Sequence, residues 1–194
     1  AITTRDPNSC ATDGATNAAT EQITVGSLTG LLTFDSGTDT PGVTSTATVS
    51  FTTAGQVLSG AHIILVFPDV SDGSANTPDE EWRIRDGAGG CGAIAFTAPT
   101  GVTGSCTWNS ATRTLDVTTG SNDIGDGSAT TAVVFTVGDV KTPSSVTPAA
   151  TIATNTQDSF GLLTDGPQNL ATDQITVGAL QAHSTAGGLL WQTG

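Results

Sequence analysis

Two clusters of aspartate and asparagine offer the most specific chemistry in this sequence, because carboxylate and amide oxygens are ligands that calcium prefers. The candidate ligands are Asp6, Asn8 and Asp13 in one cluster and Asn122, Asp123 and Asp126 in the other. Neither cluster has the spacing of an EF-hand loop. Aspartate and asparagine are also common in turns, where their side chains bond the local backbone. The clusters therefore predict either calcium sites or ordinary turns, and calcium is the one cofactor left open.

Catalytic chemistry has few residues to use in this chain. The two histidines are His62, within an apolar stretch, and His183, within a segment rich in glycine and serine. A nucleophile–histidine–acid arrangement would need one of them in a cleft, and the chain has no G-x-S-x-G, P-loop or H-E-x-x-H motif. Glu80 and Glu81 would make a glycosidase pair only with another carboxylate facing them. We therefore expect that the protein is not an enzyme.

Cys91 and Cys106 are expected to form a disulfide, because they flank a segment that reads as a strand and its return. The bridge would close a loop of about 15 residues and contribute roughly 3 kcal/mol in the chain-entropy treatment. Cys10 is then unpaired, buried or bonded to another chain. Trp82 and Trp108 are either core anchors or, if exposed, surfaces on which sugars stack.

Composition narrows the function classes further. Acidic residues outnumber basic ones by 18 to 5, which gives a net charge of −13. Nucleic-acid binding normally needs a basic surface, and anionic membranes attract basic segments, so neither partner is expected. No segment approaches the roughly 18 consecutive apolar residues of a membrane-spanning helix. The chain begins at Ala1 and contains no methionine, which indicates a processed form or a piece of a longer protein. We expect a removed signal peptide and an extracellular location.

The strongest pattern is an internal repeat. Residues 1–28 align without a gap with residues 153–180, at an offset of 152, and 15 of the 28 positions are identical. The densest match is Gln-Ile-Thr-Val-Gly, at residues 22–26 and again at 174–178. Such a period has the size of a domain, since solenoid repeats have periods of about 20–50 residues. The sequence predicts one β-domain at 1–152, followed at 153–194 by the start of a second copy or by a strand-exchange segment. A single domain that uses two equivalent strands at its two ends is the alternative.

Short segments of alternating apolar and polar residues indicate strands with one buried face. The predicted strands lie at 46–53, 62–67, 82–85, 92–97, 106–108, 112–118, 131–137, 149–154 and 174–180. Asp-Gly dipeptides, a preferred turn signal, occur between them, at Asp126 and Asp165 among other positions. Regular short strands with this spacing predict an antiparallel sandwich.

Residues 141–157 are rich in threonine, serine and proline. This composition is typical of connections that carry O-linked sugar. The candidate attachment sites are Thr142, Ser144, Ser145 and Thr147. An edge strand whose prolines block further pairing is the alternative.

Residues 42–70 (GVTSTATVSFTTAGQVLSGAHIILVFPDV) resemble repeat domains of very large secreted proteins from algae and other protists. The likeness continues through Ser-Cys-Thr-Trp at 105–108, Thr-Leu-Asp-Val-Thr at 114–118 and the Thr-Asp-Gly…Gln-Ile-Thr-Val-Gly element, and it covers residues 20–180. In such proteins immunoglobulin-like sandwiches are strung into filaments or coats, of which flagellar hairs are one setting. The resemblance implies an all-β, antiparallel, immunoglobulin-like β-sandwich of about 8–10 short strands.

The function predicted first is that of an extracellular structural protein that assembles head to tail. The predicted subunit joint consists of apolar side chains of the two repeated segments: Ile23, Val25, Leu28, Ile175, Val177 and Leu180. The second segment of one subunit would occupy the slot that the first occupies in another, as strand addition does at an open sheet edge. Copies of the chain and covalent glycans are therefore the predicted partners. A carbohydrate- or surface-binding sandwich, with calcium dependence, is the alternative.

Overall fold

The computed structural model of the chain describes residues 7–8, 22–70, 81–84 and 91–178. Regular structure in these ranges consists of ten β-strands. They are β1 (Thr29–Asp35), β2 (Thr44–Thr53), β3 (His62–Val66), β4 (Arg83–Ile84), β5 (Ile94–Ala98), β6 (Gly104–Asn109), β7 (Thr114–Thr119), β8 (Thr131–Lys141), β9 (Thr151–Gln157) and β10 (Leu163–Thr172). The all-β class is confirmed.

The strands form because their apolar residues recur at every second position and so share one face. In β2 the buried residues Ala47, Val49 and Phe51 alternate with partly exposed serine and threonine. In β7 the same period buries Leu115 and Val117. These inward rows build one hydrophobic core on the inner face of the sheet.

The strands are connected in a single sheet, which is nearly barrel-shaped. The order is β4-β8-β2-β1-β10-β9-β3-β7-β6, and β5 also pairs with β8. The ladders are antiparallel, as predicted, except that β1 and β10 run parallel. The immunoglobulin-like arrangement of these strands stays a prediction.

The predicted boundary between residues 152 and 153 falls inside β9. β9 pairs with β3, and β10 pairs with β1. Residues 153–172 are therefore part of the same sheet as the first eight strands. Residues 179–194, the remainder of the predicted second unit, lie outside the described residues.

A group of aromatic side chains closes part of the core. The rings of Phe34 and Phe67 meet edge to face with centroids 5.1 Å apart, and Trp82 lies 5.7 Å from Phe34. Trp82 is only 2% exposed, so it is a core anchor. Trp108 is partly buried and meets Phe67 edge to face at 5.4 Å. The carbohydrate alternative needs Trp82 or Trp108 to be exposed, so the burial of Trp82 leaves Trp108 as its remaining candidate of the two.

The sheet has two ends that matter for function. At the hairpin end, β9 finishes and β10 begins, beside the loops at 54–61 and 120–128. At the far end, β10 finishes near the segments 36–43 and 142–150. Because β10 has ten residues, the two ends are roughly 30 Å apart at about 3.3 Å per residue.

Candidate functional site

The candidate site consists of the two copies of Gln-Ile-Thr-Val-Gly, which we call the first junction element (residues 22–26) and the second junction element (residues 174–178). The first contacts the start of β10, at the hairpin end. The second follows the last residue of β10, at the far end. One sequence is therefore present at both ends of the same sheet.

The first junction element is held by its glycine. Gly26 N donates to Thr164 O at 2.9 Å, and Gly26 O accepts from Gly166 N at 3.0 Å, which makes a parallel bridge to β10. A side chain at Gly26 would collide with the Asp165 carboxylate and lie 2.8 Å from the Cβ of Ala54. Glycine is thus the residue that this close backbone approach requires.

The apolar side chains of the first junction element have no place in the core of this domain. Ile23 is 98% exposed and Val25 is 48% exposed. An exposed isoleucine is ordinary when it stands alone. Here Phe160, Leu162 and Leu163, on the β9–β10 hairpin, are also exposed at the same end, so the hairpin end presents an apolar surface.

The second junction element is held by its isoleucine. Ile175 is fully buried, its N–H donates to Thr147 O at 2.8 Å, and its carbonyl accepts from Thr147 N at 3.2 Å. Thr176 N donates to Asp39 O at 2.8 Å. The side chain of Val177 points away from this seat and is 82% exposed.

The six predicted joint residues therefore fall into different environments. Leu28 and Ile175 are buried in the core of their own domain, whereas Ile23, Val25 and Val177 are exposed. Leu180 lies outside the described residues. A simple exchange of the two segments would expose the Ile175 side chain to solvent. The sequence repeat alone did not indicate that Ile175 is buried. The hairpin residues Phe160 and Leu162 were also missed, although the repeat aligns them with Asn8 and Cys10.

Asp165 is a buried carboxylate at the seat of the first junction element. It is 3% exposed, and one of its oxygens accepts a hydrogen bond from Thr156 Oγ1 at 3.3 Å. Burial raises the pKa of Asp165 above the ordinary value of 3.8, and hydrogen bonds from Thr156 and from the Ala54 backbone partly oppose the rise. The Asp-Gly dipeptide predicts a turn at Asp165, but Asp165 lies inside β10, where the register shifts on both sides of it.

This raised pKa predicts the sign of one pH dependence. A folded-state pKa above the unfolded one means that Asp165 favours folding at low pH, and that this contribution is lost as pH rises from 3.8 through the folded-state pKa. Asp165→Asn should remove that slope and be more stable than the native chain at neutral pH. Unfolding by urea across a pH series measures both effects.

Asp126→Asn provides a control of opposite sign. Hydrogen bonds from Ser128 lower the pKa of Asp126, so its favourable contribution appears as pH rises and is lost as pH falls through the folded-state pKa. If Asp165→Asn and Asp126→Asn changed the pH profile in the same direction, burial of Asp165 would not be the cause.

The first calcium cluster is only partly described. Asp6 and Asp13 lie outside the described residues, and Asn8 is exposed. In the ranges that the structure covers, no three acidic, histidine or cysteine side chains come together as a metal site.

The second calcium cluster lies in the loop at 120–128. Asn122 donates to a backbone carbonyl at 2.8 Å, and one carboxylate oxygen of Asp123 accepts from Ser59 N at 2.7 Å. Asp126 accepts from Ser128 N at 2.9 Å. These contacts are those of turn and loop chemistry. Calcium binding stays a prediction.

The structure joins Cys91 and Cys106 in a disulfide, with the Cα atoms 5.5 Å apart. Cys91 precedes β5 and Cys106 lies in β6, so the bridge connects strands that belong to opposite ends of the sheet order. Cys10 lies outside the described residues.

The acidic and histidine candidates for catalysis are dispersed. His62 Nδ1 is 2.8 Å from Asp116 Oδ1, across the β3–β7 pair on the outer face of the sheet. Glu81 is buried, 3.8 Å from the guanidinium of Arg113. Glu80 and His183 lie outside the described residues. The structure thus gives Glu81 an ion pair with arginine, which is a structural use of the carboxylate.

The candidate glycan sites divide by burial. Thr142 is buried, and its hydroxyl donates to Thr40 O at 2.6 Å. Thr147 is 7% exposed. A sugar cannot be attached to a buried hydroxyl without opening the fold, so Ser144 and Ser145, which are exposed, are the two candidates that fit the folded chain. Glycosylation itself stays a prediction.

No protein-family model, curated protein sequence or solved structure matches this chain. Across the described ranges, no helix has the length and apolar character needed to cross a membrane. The resemblance to filament and coat proteins of algae and protists therefore stays a prediction.

Proposed function

We propose that this protein is an extracellular structural module that joins copies of its own domain head to tail through the two junction elements. The proposal rests on one observation: the two identical junction elements have their isoleucines in opposite environments, one in solvent and one in the core. Ile23 is 98% exposed at the hairpin end, whereas Ile175 is fully buried at the far end. Different surfaces at opposite ends of a subunit favour a heterologous contact, and such a contact produces a filament when it does not close into a ring.

The distribution of exposed apolar side chains supports this geometry. Ile23, Phe160 and Leu162 protrude at the hairpin end, and Val146 and Val177 are exposed at the far end. Large apolar side chains that cluster at a surface commonly mark protein–protein contacts. End-to-end contact would remove both groups from water at once.

The disulfide supports the extracellular part of the proposal, because disulfides persist in oxidising compartments and are rare in the cytosol. We also propose that the sheet is a variant of the immunoglobulin-like sandwich, and that O-linked sugar is carried at Ser144 and Ser145. The net charge of −13 would keep such an exposed polymer soluble. We assign the chain no catalytic role.

The Ile23→Asp variant of the full chain tests self-association. Burying an isoleucine contributes about 1.5–3 kcal/mol, so its replacement by a charged residue should weaken association by at least about tenfold. Because Ile23 is exposed, the melting temperature of the isolated domain should not change. Sedimentation velocity over a concentration series and negative-stain microscopy show whether the native and variant chains are monomers or assemblies.

Leu31→Asp is the matched control, since Leu31 is 72% exposed but belongs to β1 and not to a junction element. It should associate as the native chain does. A native chain that sediments as a 19.3 kDa monomer at every concentration would overturn the proposal. Equal association of the Ile23→Asp and native chains would overturn the assignment of the joint.

A further inference from the structure

We propose that, where two copies of the domain follow each other at the 152-residue period, a single junction element is shared by both. Its isoleucine is buried in the upstream copy, as Ile175 is here, and its glycine is paired with β10 of the downstream copy, as Gly26 is here. The inference rests on the proposed function, because the partner is another copy of this domain.

Each junction element in the chain has one residue that this domain uses and one that it does not. The domain buries Ile175, whereas among the described residues a side chain added at Gly178 would meet just the side chain of Thr40, with Cγ2 at 3.2 Å. The domain encloses Gly26, but it leaves Ile23 in solvent. The same five-residue sequence therefore supplies an isoleucine that is buried at the far end of the sheet and a glycine that is enclosed at the hairpin end.

The two sets of backbone contacts use different atoms, so one element can make both at once. The upstream seat engages the N–H and C=O of the isoleucine and the N–H of the following threonine, through Thr147 and Asp39. The downstream seat engages the N–H and C=O of the glycine, through Thr164 and Gly166. No donor or acceptor is used twice. Burial of the isoleucine adds to the upstream attachment, and the close approach of the glycine adds to the downstream one.

The spacing of these residues makes the joint short. Only two residues lie between the isoleucine and the glycine of each element, and an extended chain covers about 10 Å over those three Cα–Cα steps. Two domains held this closely have no flexible linker between them. The exposed hairpin residues Phe160 and Leu162 of the downstream copy would face the far end of the upstream copy, where Val146 is exposed. Successive domains would then repeat at roughly 40 Å, the length of the sheet plus the joint.

A two-period chain tests this inference while retaining every residue of the natural one. Residues 1–178 followed directly by residues 27–194 place a central junction element between two domains in the natural register, because Gly178 then precedes residue 27 as Gly26 does. Small-angle scattering should give the profile of one rigid, elongated particle. Amide exchange measured by NMR should show protection at the central Gly178 N–H that the single-period chain lacks.

The decisive variant is Gly178→Ala at the central element. The added methyl group would collide with the Asp165 carboxylate of the downstream domain, as it would at Gly26, so the joint should loosen and the central amide should lose protection. The same substitution at the last element of the two-period chain is the matched control, and it should change neither measurement. In the natural chain it should alter the unfolding free energy by no more than about 0.5 kcal/mol.

The outcomes separate this inference from the proposed function. A flexible two-period chain, or a rigid one that is indifferent to the central Gly178→Ala change, would overturn the shared element whether or not the natural chain associates. A rigid, glycine-dependent joint in a protein whose natural chain stays monomeric would support the shared element in a tandem array, and it would reject assembly of separate chains.

Discussion

Replacing Ile175 by alanine is expected to lower the free energy of unfolding by about 2–5 kcal/mol, the range for truncating a buried isoleucine. The same replacement at Ile23 should change it by no more than about 0.5 kcal/mol, as is usual for an exposed position. The two residues occupy equivalent positions of one repeated sequence, so the comparison holds local sequence constant. The difference arises from burial, since Ile175 is fully buried and Ile23 is 98% exposed.

Urea denaturation of the two variants and the native chain measures this difference. The slope of unfolding free energy against urea should stay the same in all three, because it reports the surface exposed on unfolding. The experiment should be done at a low concentration, at which the native chain is dispersed, because association stabilises the folded state by mass action. Equal losses at the two positions would mean that Ile23 is also packed against the domain, and the proposed joint would then lose its exposed anchor.

Sequence periodicity predicted the strands whose alternation is regular. β2 and β3 lie within about two residues of the predicted segments at 46–53 and 62–67, because each has an uninterrupted row of inward apolar residues. β1 and β10 were not predicted. β10 contains Asp165-Gly166-Pro167, which has the composition of a turn, and the structure accommodates it as an irregularity in the ladder with β9. Tertiary pairing outweighed a local turn signal there.

The sequence predicted which residues form the candidate site, but it did not predict which of them are buried and which are exposed. The repeat located both junction elements, since identity at a fixed offset requires no knowledge of the fold. It predicted a strand at 174–180, whereas in the described part of that segment Ile175 makes an isolated bridge to Thr147. Which isoleucine is buried depends on contacts with Thr147 and Asp39, more than 25 residues away in sequence. Such long-range contacts cannot be deduced from local periodicity.

The second large effect is expected at the disulfide. Replacing both Cys91 and Cys106 by serine should lower the unfolding free energy by about 3 kcal/mol, the chain-entropy value for a loop of this length. The sequence separation is 15 residues. Because Cys10 remains as a third thiol, the double replacement should be made in a Cys10→Ser chain and compared with Cys10→Ser alone.

The position of the disulfide in the sheet explains why its removal should lower the free energy of unfolding. β6 ends the sheet order at one side, and β5 lies on the outer edge of β8 at the other. In the described residues β5 and β6 share no backbone ladder; instead, Phe96 and Ile94 of β5 lie over Gly104 of β6. The disulfide is the covalent link across this gap.

Loss of the link should therefore open one side of the sheet while the other pairs persist. Amide exchange resolved by residue should accelerate first in β5 and β6, and it should change little in β2 and β9, which have paired neighbours on both edges. A double variant that lost less than about 1 kcal/mol would show that packing of the β5 side chains closes the sheet without the disulfide. Exchange that rose evenly over all strands would show that the disulfide stabilises the whole sheet and not one side of it. The far and hairpin ends would keep their junction elements in either case, because in the described structure the backbone hydrogen bonds and bridges of both elements go to other segments than β5 and β6.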